Sequence, residues 1–379
     1  MIENLGFVEL RNLLETVFRP GPGEKSLLFL TDLPTHDLPD TAVWEDRRKI
    51  IAEWYELMRT NRNALPFQKV LFSCYDNVRT NNNELPPTAF LVQDPIGEGL
   101  NSGRVGTSLG ELLNSSSIVI AMTELSATAP LKLLAKKFGF RGATLPGFTR
   151  EMIPSLALDY EKIHARVMEL KHRMDRAEII DIEFETQDRC YQCRFDTRFR
   201  FAHASGGLLR ESGTVGNLPS GEAYIVPYEG ETPDQPSRSS GLLPVQFEDE
   251  IVIYQIEENR ARMVESNGPC SSREDQLLRA EPAYGNIAEV GIGVLGEWGV
   301  QACGSTLVDE KLGLHVAFGR SDHFGGITGP AAFRDQRNVV HIDRVYVASV
   351  QPLIEAKEVR FRYEAGTQEI VMKSGKIVV

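Results

Sequence analysis

The segment Ile180-Asp181-Ile182-Glu183-Phe184-Glu185 alternates apolar and acidic residues without interruption. A period of two is typical of a β-strand with one buried face and one solvated face. Residues 193–201 alternate in the same way, and short glycine- and valine-rich segments follow toward the carboxyl end. We therefore predict a strand-rich second half with antiparallel or mixed sheets.

The first half has a different pattern. Residues 26–30, 70–74 and 118–122 are continuous apolar runs, which are typical of parallel strands covered on both faces. Residues 41–60 carry apolar side chains at helical spacing. Strands that alternate with helices predict an α/β layered domain.

Residues 156–176 have the pattern of a long amphipathic helix, and we predict that this helix bridges two domains. The first predicted domain is the α/β layered domain, residues 1–176. The second is a β-rich α+β domain that binds metal, residues 177–379. Residues 233–244 are rich in proline, serine and glycine, which predicts a flexible loop able to act as a lid.

Charge and composition narrow the functional classes. The chain has 379 residues, with 53 Asp plus Glu against 41 Lys plus Arg and a net charge of −12. An acidic surface repels a phosphate backbone, so we expect no nucleic-acid partner. The sequence has no apolar run of about eighteen residues and no signal-peptide pattern, so we expect no membrane partner and a cytoplasmic location. Five scattered cysteines predict free thiols in a reducing compartment.

Five residues of the second half are of the types that bind divalent metals: Glu222, Glu289, His315, His341 and Asp343. His341 and Asp343 are two positions apart in an alternating segment, so on a strand they share a face, about 7 Å apart along the backbone. His315 lies in the apolar segment 312–319, where a buried imidazole needs a partner. A metal ion is one such partner.

Each of these residues also has an ordinary structural explanation. A single histidine in an apolar strand is more often a core residue, and a glutamate after a Pro-Ser-Gly turn is usually solvated. Residues 291–296 have the glycine spacing of a dinucleotide loop without its βαβ context, so we interpret them as allowing the backbone to bend beside Glu289. Cys190 and Cys193 lack the second cysteine pair of a zinc site and are interpreted as structural.

The residues around the five candidates strengthen the metal hypothesis. Pro-Ser-Gly-Glu at 219–222, Ala-Glu-Val-Gly at 288–291, Asp-Glu-Lys at 309–311, Gly-Leu-His at 313–315 and His-Ile-Asp at 341–343 follow one another in this order. From residue 210 to residue 346 the chain resembles the metallopeptidase clan of aminopeptidase T and aminopeptidase S. The resemblance implies that the five residues are the ligands of two metal ions and that the protein is a homodimer.

One position departs from that family. A tyrosine expected a few residues after His315 is missing, and Asp322 and His323 stand near its place. We therefore list Asp322 and His323 as catalytic candidates beside Glu222 and Glu289, either of which is a candidate general base. Arg320, and Arg150 in the turn 141–150, are predicted to bind substrate. Asp309 or Glu310 is expected to orient His315 through its second ring nitrogen.

These residues and the resemblance predict a metal-dependent hydrolase of aminopeptidase type that acts on a small peptide or a small-molecule amide. Two zinc, cobalt or manganese ions would suit the mixed nitrogen and oxygen ligands. The alternative is a ring-cleaving dioxygenase of the 2,5-dihydroxypyridine type, which the same clan includes, with one Fe(II) on His315, His341 and Asp343. Glu222 and Glu289 speak against a single iron. A relative that binds metal without catalysis is a third hypothesis.

Overall fold

The computed structural model describes residues 4–97, 100 and 104–379. The chain divides into two compact units, and each is made of two stretches of sequence. Unit 1 is Met1–His164 with Gly207–Ser220, and unit 2 is Ala165–Gly206 with Gly221–Val379. These units differ from the predicted domains because the chain returns to unit 1 for residues 207–220.

Unit 1 is a mostly parallel sheet with helices, in which the pairs β2–β3 and β3–β4 are antiparallel. Its helices are α1 (Phe7–Phe18), α2 (Ala42–Thr60), α3 (Leu109–Asn114), α4 (Thr128–Phe138) and α5 (Ile153–Leu156), and α6 (Tyr160–Met174) begins in this unit. Its strands are β1 (Glu24–Leu33), β2 (Phe67–Asp76), β3 (Thr88–Leu91), β4 (Val105–Ser108), β5 (Ile118–Met122), β6 (Arg141–Thr144) and β10 (Val215–Asn217), in the order β10-β6-β5-β1-β2-β3-β4.

The centre of this sheet explains the apolar runs in the sequence. β1 lies between β2 and β5 and pairs in parallel with both. Because all five residues of β5 are buried, its run Ile118-Val119-Ile120-Ala121-Met122 has no polar alternation. α2 begins where Thr41 caps it by accepting a hydrogen bond from the Trp44 N–H. The mixed α/β class predicted from the sequence is confirmed.

Unit 2 contains two antiparallel sheets and the remaining helices. The other helices are α7 (Pro269–Ala280) and α8 (Thr306–Asp309). The strands are β7 (Ala177–Glu185), β8 (Cys190–Asp196), β9 (His203–Ser205), β11 (Glu222–Ile225), β12 (Ser240–Phe247), β13 (Glu250–Glu257), β14 (Arg260–Val264), β15 (Ile287–Gly293), β16 (Leu314–Gly319), β17 (His341–Val345), β18 (Glu355–Tyr363), β19 (Gln368–Lys373) and β20 (Lys376–Ile377). The sheet orders are β17-β16-β15-β11-β9 and β14-β13-β12-β8-β7-β18-β19-β20.

One face of the five-stranded sheet is apolar and packs against the eight-stranded sheet. Its side chains include Val290, Val316 and Phe318, all at most 1% exposed. The Phe318 ring lies 5.1 Å from that of Tyr254 on β13, between ring centroids. Since strand residues alternate between faces, the opposite face of the five-stranded sheet carries the residues between these positions. That face holds the candidate metal ligands.

Two local predictions were wrong, and both errors involve Asp196. The strand predicted to reach Phe201 ends at Asp196, whose carboxylate accepts a hydrogen bond from the Arg198 N–H and turns the chain. The loop predicted over 233–244 ends earlier, since β12 begins at Ser240. Asp196 also accepts from the Arg238 N–H at 2.9 Å and donates its own N–H to Ser239 Oγ. These bonds fix the segment before β12, which is not the arrangement of a free lid.

Two further expectations from the sequence are that the protein has no membrane partner and that its cysteines are free thiols. No helix in the described part of the chain combines the length and the apolar character that crossing a bilayer requires. The five cysteines all lie in described residues and form no disulfide. Cys190 is exposed and Cys193 is buried, as alternation along β8 predicts for residues of opposite parity.

Candidate metal centre

Strand register brings the five predicted ligands to one face of the five-stranded sheet. Across the ladder, Asp343 pairs with Ala317, which pairs with Glu289. A second row runs from His315 through Gly291 to Tyr224, two residues after Glu222. Because positions two apart share a face, all five ligands project from the side opposite the apolar core.

The five residues form two overlapping groups. The ligand atoms of Glu222, Glu289 and His315 lie within 4.8 Å of one another, and so do those of Glu289, His341 and Asp343. Glu289 belongs to both groups. Its Oε1 lies 3.2 Å from His315 Nε2, and its Oε2 lies 3.4 Å from His341 Nε2. One buried carboxylate therefore extends one oxygen toward each histidine.

Backbone carbonyls orient the two imidazoles. His315 Nδ1 lies 3.3 Å from the Gly313 carbonyl oxygen, and His341 Nδ1 lies 2.8 Å from that of Arg320. A carbonyl only accepts, so each Nδ1 carries hydrogen and each Nε2 faces carboxylates. This is the tautomer that metal-binding histidines use, with the second nitrogen donating to the protein. The expectation that Asp309 or Glu310 orients His315 was wrong, because the carbonyl of Gly313 occupies that position.

Glu222 has one oxygen engaged and one without a partner. Its Oε1 accepts a hydrogen bond from Lys311 Nζ at 2.5 Å. Its Oε2 is buried and accepts no hydrogen bond within the described structure, and it lies 3.4 Å from His315 Nε2. A buried carboxylate oxygen without a donor is costly unless a cation reaches it. The donor set therefore fits divalent metal ions.

When no metal is bound, protons on His315 and His341 offset part of the negative charge of the three carboxylates. Burial lowers the pKa of His315, but the hydrogen bond to Glu289 and the charge of Glu222 outweigh it and raise the pKa to about 9. The pKa of His341 is raised well above its usual value, against burial, by Asp343 and Glu289. Both rings therefore hold their second proton more strongly than a free imidazole does. Each Nε2 must release its proton before it can bind a metal.

Two glycines of β15 make the arrangement possible. A Cβ at Gly291 would lie 2.0 Å from His315 Nε2, and a Cβ at Gly293 would lie 2.0 Å from the carbonyl carbon of Lys311. β15 has antiparallel neighbours on both sides, so these glycines belong to no βαβ dinucleotide unit. Both glycines permit this close approach, and the bend expected beside Glu289 stays a prediction.

Lys311 is the site residue that sequence reasoning missed. It is 1% exposed, and its ammonium donates to Glu222 and Glu310. Burial alone lowers the pKa of a lysine, but these two carboxylates raise it above the usual value. The triplet Asp309-Glu310-Lys311 was the available signal. Lysine is almost never fully buried unless it is paired, and the sequence does not reveal the partner.

The segment after β16 holds the other catalytic candidates. The Arg320 Nε donates to Asp322 Oδ1 at 2.5 Å, while its carbonyl holds His341. The His323 ring lies 5.3 Å from the His341 ring, between centroids. Burial and the charges of His341 and Arg320 lower the pKa of His323 to about 4, so this imidazole is neutral at pH 7. The catalytic and substrate-binding roles of these residues stay predictions.

Three partly exposed aromatic side chains continue the same region. The ring centroids of His203 and Tyr224 are 5.1 Å apart, those of Tyr224 and Phe324 are 5.0 Å apart, and those of Phe324 and His341 are 5.5 Å apart. His203 Nε2 also lies 2.8 Å from the Phe324 carbonyl oxygen, which fixes this ring relative to the sheet. The series of rings thus ends at a predicted metal ligand.

Arg150 lies in unit 1, whereas the five predicted ligands lie in unit 2. Its guanidinium pairs with Asp46 at 2.8 Å and lies 3.8 Å from a Glu53 oxygen, both on α2. These ion pairs account for its position within unit 1. A substrate-binding role for Arg150 stays a prediction.

Comparison with known proteins reveals similarity at the level of structure. Neither the protein-family models nor the curated protein sequences contain a match. The chain is similar to 2,5-dihydroxypyridine dioxygenase from Pseudomonas putida KT2440, with a TM-score of 0.61, 13% identity and coverage of 99% of this chain and 98% of that one. It is also similar to wild-type AmpT, an aminopeptidase T, from Thermus thermophilus, with a TM-score of 0.54, 16% identity and coverage of 98% and 99%.

These neighbours confirm the clan-level resemblance found in the sequence, as a shared fold over nearly the whole chain. One is named a dioxygenase and the other an aminopeptidase, which are the two enzyme classes that the sequence left open. Proteins with the same fold can catalyse different reactions, so the shared fold does not identify the reaction of this protein.

Proposed function

We propose that this protein is a metal-dependent hydrolase of the aminopeptidase type, with two divalent ions held by Glu222, Glu289, His315, His341 and Asp343. The observation that carries the proposal is the position of Glu289 in both ligand groups, with one carboxylate oxygen directed at each histidine. A single-ion site has no need of a carboxylate shared in this way.

Glu222, Glu289 and His315 would hold one ion, and Glu289, His341 and Asp343 would hold the other. When bound, such a pair of ions polarises an amide carbonyl and makes water acidic enough to attack near neutral pH. Zinc, cobalt and manganese all accept mixed imidazole and carboxylate ligands.

The protein's own groups would supply proton transfer and orientation. Glu222 or Glu289 would serve as the general base instead of being a strict metal ligand. His323 would donate a hydrogen bond from its neutral ring to the charge that develops on the substrate oxygen. Asp322 Oδ1, 3.6 Å from His323 Nδ1, would orient that ring.

The aromatic side chains beside the centre suggest the preferred substrate. His203, Tyr224 and Phe324 leave partly exposed ring surface next to His341. Covering apolar surface is favourable at roughly 25 cal/mol per Å². We therefore include in the proposal that the substrate, a small peptide or amide, has an apolar or aromatic side chain next to the bond that is cleaved. A homodimeric state and a cytoplasmic location stay predictions.

The second candidate is an Fe(II) ring-cleaving dioxygenase that uses His315, His341 and Asp343. Lys311 favours it, because its ammonium already occupies one oxygen of Glu222 and places positive charge at the second ligand group. Glu289, which lies between the two histidines, favours the hydrolase. We give the hydrolase the greater weight, since it uses all five buried or half-buried ligands.

Metal analysis combined with two assays tests the proposal. Metal-free protein would be loaded with zinc, cobalt, manganese or, without oxygen, Fe(II), and the bound ions counted by mass spectrometry. Release of the amino acid would be measured from phenylalanyl and alanyl p-nitroanilides and dipeptides. Oxygen uptake would be measured with 2,5-dihydroxypyridine. We expect two ions per chain and faster release from the phenylalanyl substrates.

Glu289→Gln is expected to reduce both the ion count and the turnover, whereas Glu257→Gln, an exposed glutamate on β13, is the matched control. One oxygen-sensitive iron together with oxygen uptake would establish the dioxygenase instead. Two bound ions without turnover of any substrate would indicate the non-catalytic relative and contradict the proposed activity.

A further inference from the structure

Lys311 is a buried charge to which the proposed reaction gives no role. It lies in a short 3-10 turn, Glu310–Leu312, directly before β16. Gly293 is paired with Glu222 in the sheet, and a Cβ there would lie 2.0 Å from the carbonyl carbon of Lys311. The lysine backbone therefore lies against β15 at the level of Glu222, and its ammonium reaches that carboxylate.

The ammonium is held by two carboxylates. Lys311 Nζ donates to Glu222 Oε1 at 2.5 Å and to Glu310 Oε1, and the lysine side chain is 2% exposed. A buried ammonium requires such partners, because an isolated charge would be strongly destabilising in the interior. The contact leaves Glu222 Oε2 as the oxygen that faces His315.

The two ligand groups consequently differ in their contact with Lys311. Glu222, in the first group, is paired with a fixed cation. Asp343, in the second group, has its ion-pair partner in His341 at 3.6 Å within the described residues, and Lys311 acts on it through charge without a hydrogen bond. Direct contact with a buried ammonium therefore distinguishes the first group from the second.

We propose that Lys311 makes the two metal positions unequal. The position of Glu289, His341 and Asp343 is filled first and tightly. The position of Glu222 and His315 is filled second and more weakly, because Lys311 Nζ already occupies one oxygen of Glu222. Lys311 is thus a positioning residue that makes the second ion the exchangeable one. The inference rests on the proposed site with two ions and makes no assumption about the reaction.

Titration of the metal-free protein with Co(II) tests the inference through binding alone. Calorimetry and the visible absorption of Co(II) would report each binding event. In the wild type we expect the first ion to bind about tenfold more tightly than the second, since a charge-assisted hydrogen bond that occupies one ligand oxygen changes affinity by about this factor. In Lys311→Met the affinity for the second Co(II) ion should increase by about tenfold or more, and the affinity for the first ion should be nearly unchanged. Lys311→Arg should preserve the inequality.

Two further variants assign each Co(II)-binding event to one of the two metal positions, even if Lys311→Met does not fold. Glu222→Gln should remove the weak event and leave the tight one, while Asp343→Asn should remove the tight event. Lys357→Met is the control, because Lys357 is 43% exposed and pairs with Glu185 on the other sheet. Binding in all of these proteins is measured with Co(II) as the only ligand.

The outcomes separate this inference from the proposed function. Two ions of equal affinity in the wild type, an unchanged second event in Lys311→Met, or loss of the tight event in Glu222→Gln would each overturn it while leaving a site with two ions in place. One ion in the wild type and two in Lys311→Met would support the role of Lys311 and contradict the dinuclear hydrolase. One ion in both proteins would contradict both.

Discussion

At the scale of single residues, chemistry depends on which atom each side chain presents. His315 and His341 are ordinary histidines in the sequence, yet both donate Nδ1–H to a carbonyl and direct Nε2 at carboxylates. His323 differs, since its environment keeps the ring neutral at pH 7. It stands near the place where the family resemblance implies a tyrosine. A neutral imidazole and a phenol can both donate one hydrogen bond to a developing negative charge.

We expect His323→Phe to lower kcat by roughly 100-fold to 1000-fold while leaving the KM and the number of bound ions nearly unchanged, because removal of one donor to a developing oxyanion costs about this much. Steady-state kinetics on phenylalanyl p-nitroanilide and metal analysis would measure the three quantities. His36→Gln, at a fully exposed histidine, is the control. A His323→Phe protein with unaltered kcat would assign charge stabilisation to another group.

At the scale of elements, alternation along four neighbouring strands selects the face that carries the predicted metal ligands. β11, β15 and β16 direct buried apolar side chains to one face and predicted ligands to the other, and β17 directs His341 and Asp343 to the ligand face. The glycines of β15 are as necessary as the ligands. The His315 ring occupies the space directly over Gly291, where any Cβ would clash with Nε2.

Gly291→Ala should therefore displace His315 and weaken binding of at least one ion by about tenfold or more, with only a moderate loss of stability, roughly 1–3 kcal/mol, from overpacking. Gly106→Ala is the matched control, since Gly106 is also in a strand and a Cβ there meets nothing within 4 Å. Co(II) titration and urea unfolding of both variants check the expectation. If Gly291→Ala bound metal with the affinity of the wild type, the prediction would be wrong, because the His315 ring could then move aside without weakening metal binding.

At the scale of the whole molecule, the charged centre couples folding to pH and metal. The three carboxylates, two imidazoles and one ammonium are buried or half-buried, so folding must compensate their charges. Without metal, protons on the histidines provide part of this compensation. The pKa of His315 is higher in the folded protein, about 9, than the 6.5 expected for an unfolded chain.

The sign of the resulting pH dependence follows from linkage. A histidine with a raised pKa in the folded state contributes stability that is complete below pH 6.5 and is lost as the pH rises through about 9. Bound metal ions take over this role at high pH, where they no longer compete with protons. We therefore expect the increase in Tm on adding Zn²⁺ to grow from pH 6 to pH 9. Calorimetric scans with Zn²⁺ or with EDTA measure it.

The same scans on Asp343→Asn provide the control, since loss of this carboxylate should reduce both the stabilisation by metal and its pH dependence. A Zn²⁺-induced change in Tm that stays constant or declines over this pH range would contradict proton displacement at the two histidines.

The sequence alone determined the residue types and the faces. Continuous apolar runs such as 118–122 predicted buried parallel strands, and alternation placed His341 and Asp343 on one side of a strand. These features are local, so a short segment is sufficient to predict them. The types of the five predicted ligands and the motifs around them also indicated a metal site.

Only the tertiary structure decided how those residues act together. The shared position of Glu289, the carbonyl that orients His315 and the pairing of Lys311 with Glu222 all depend on strand pairing between segments far apart in the chain. The turn at Asp196 was missed for a similar reason, since its carboxylate also holds Arg238. Periodicity specifies which face a side chain occupies, whereas the register between distant strands specifies which atoms meet.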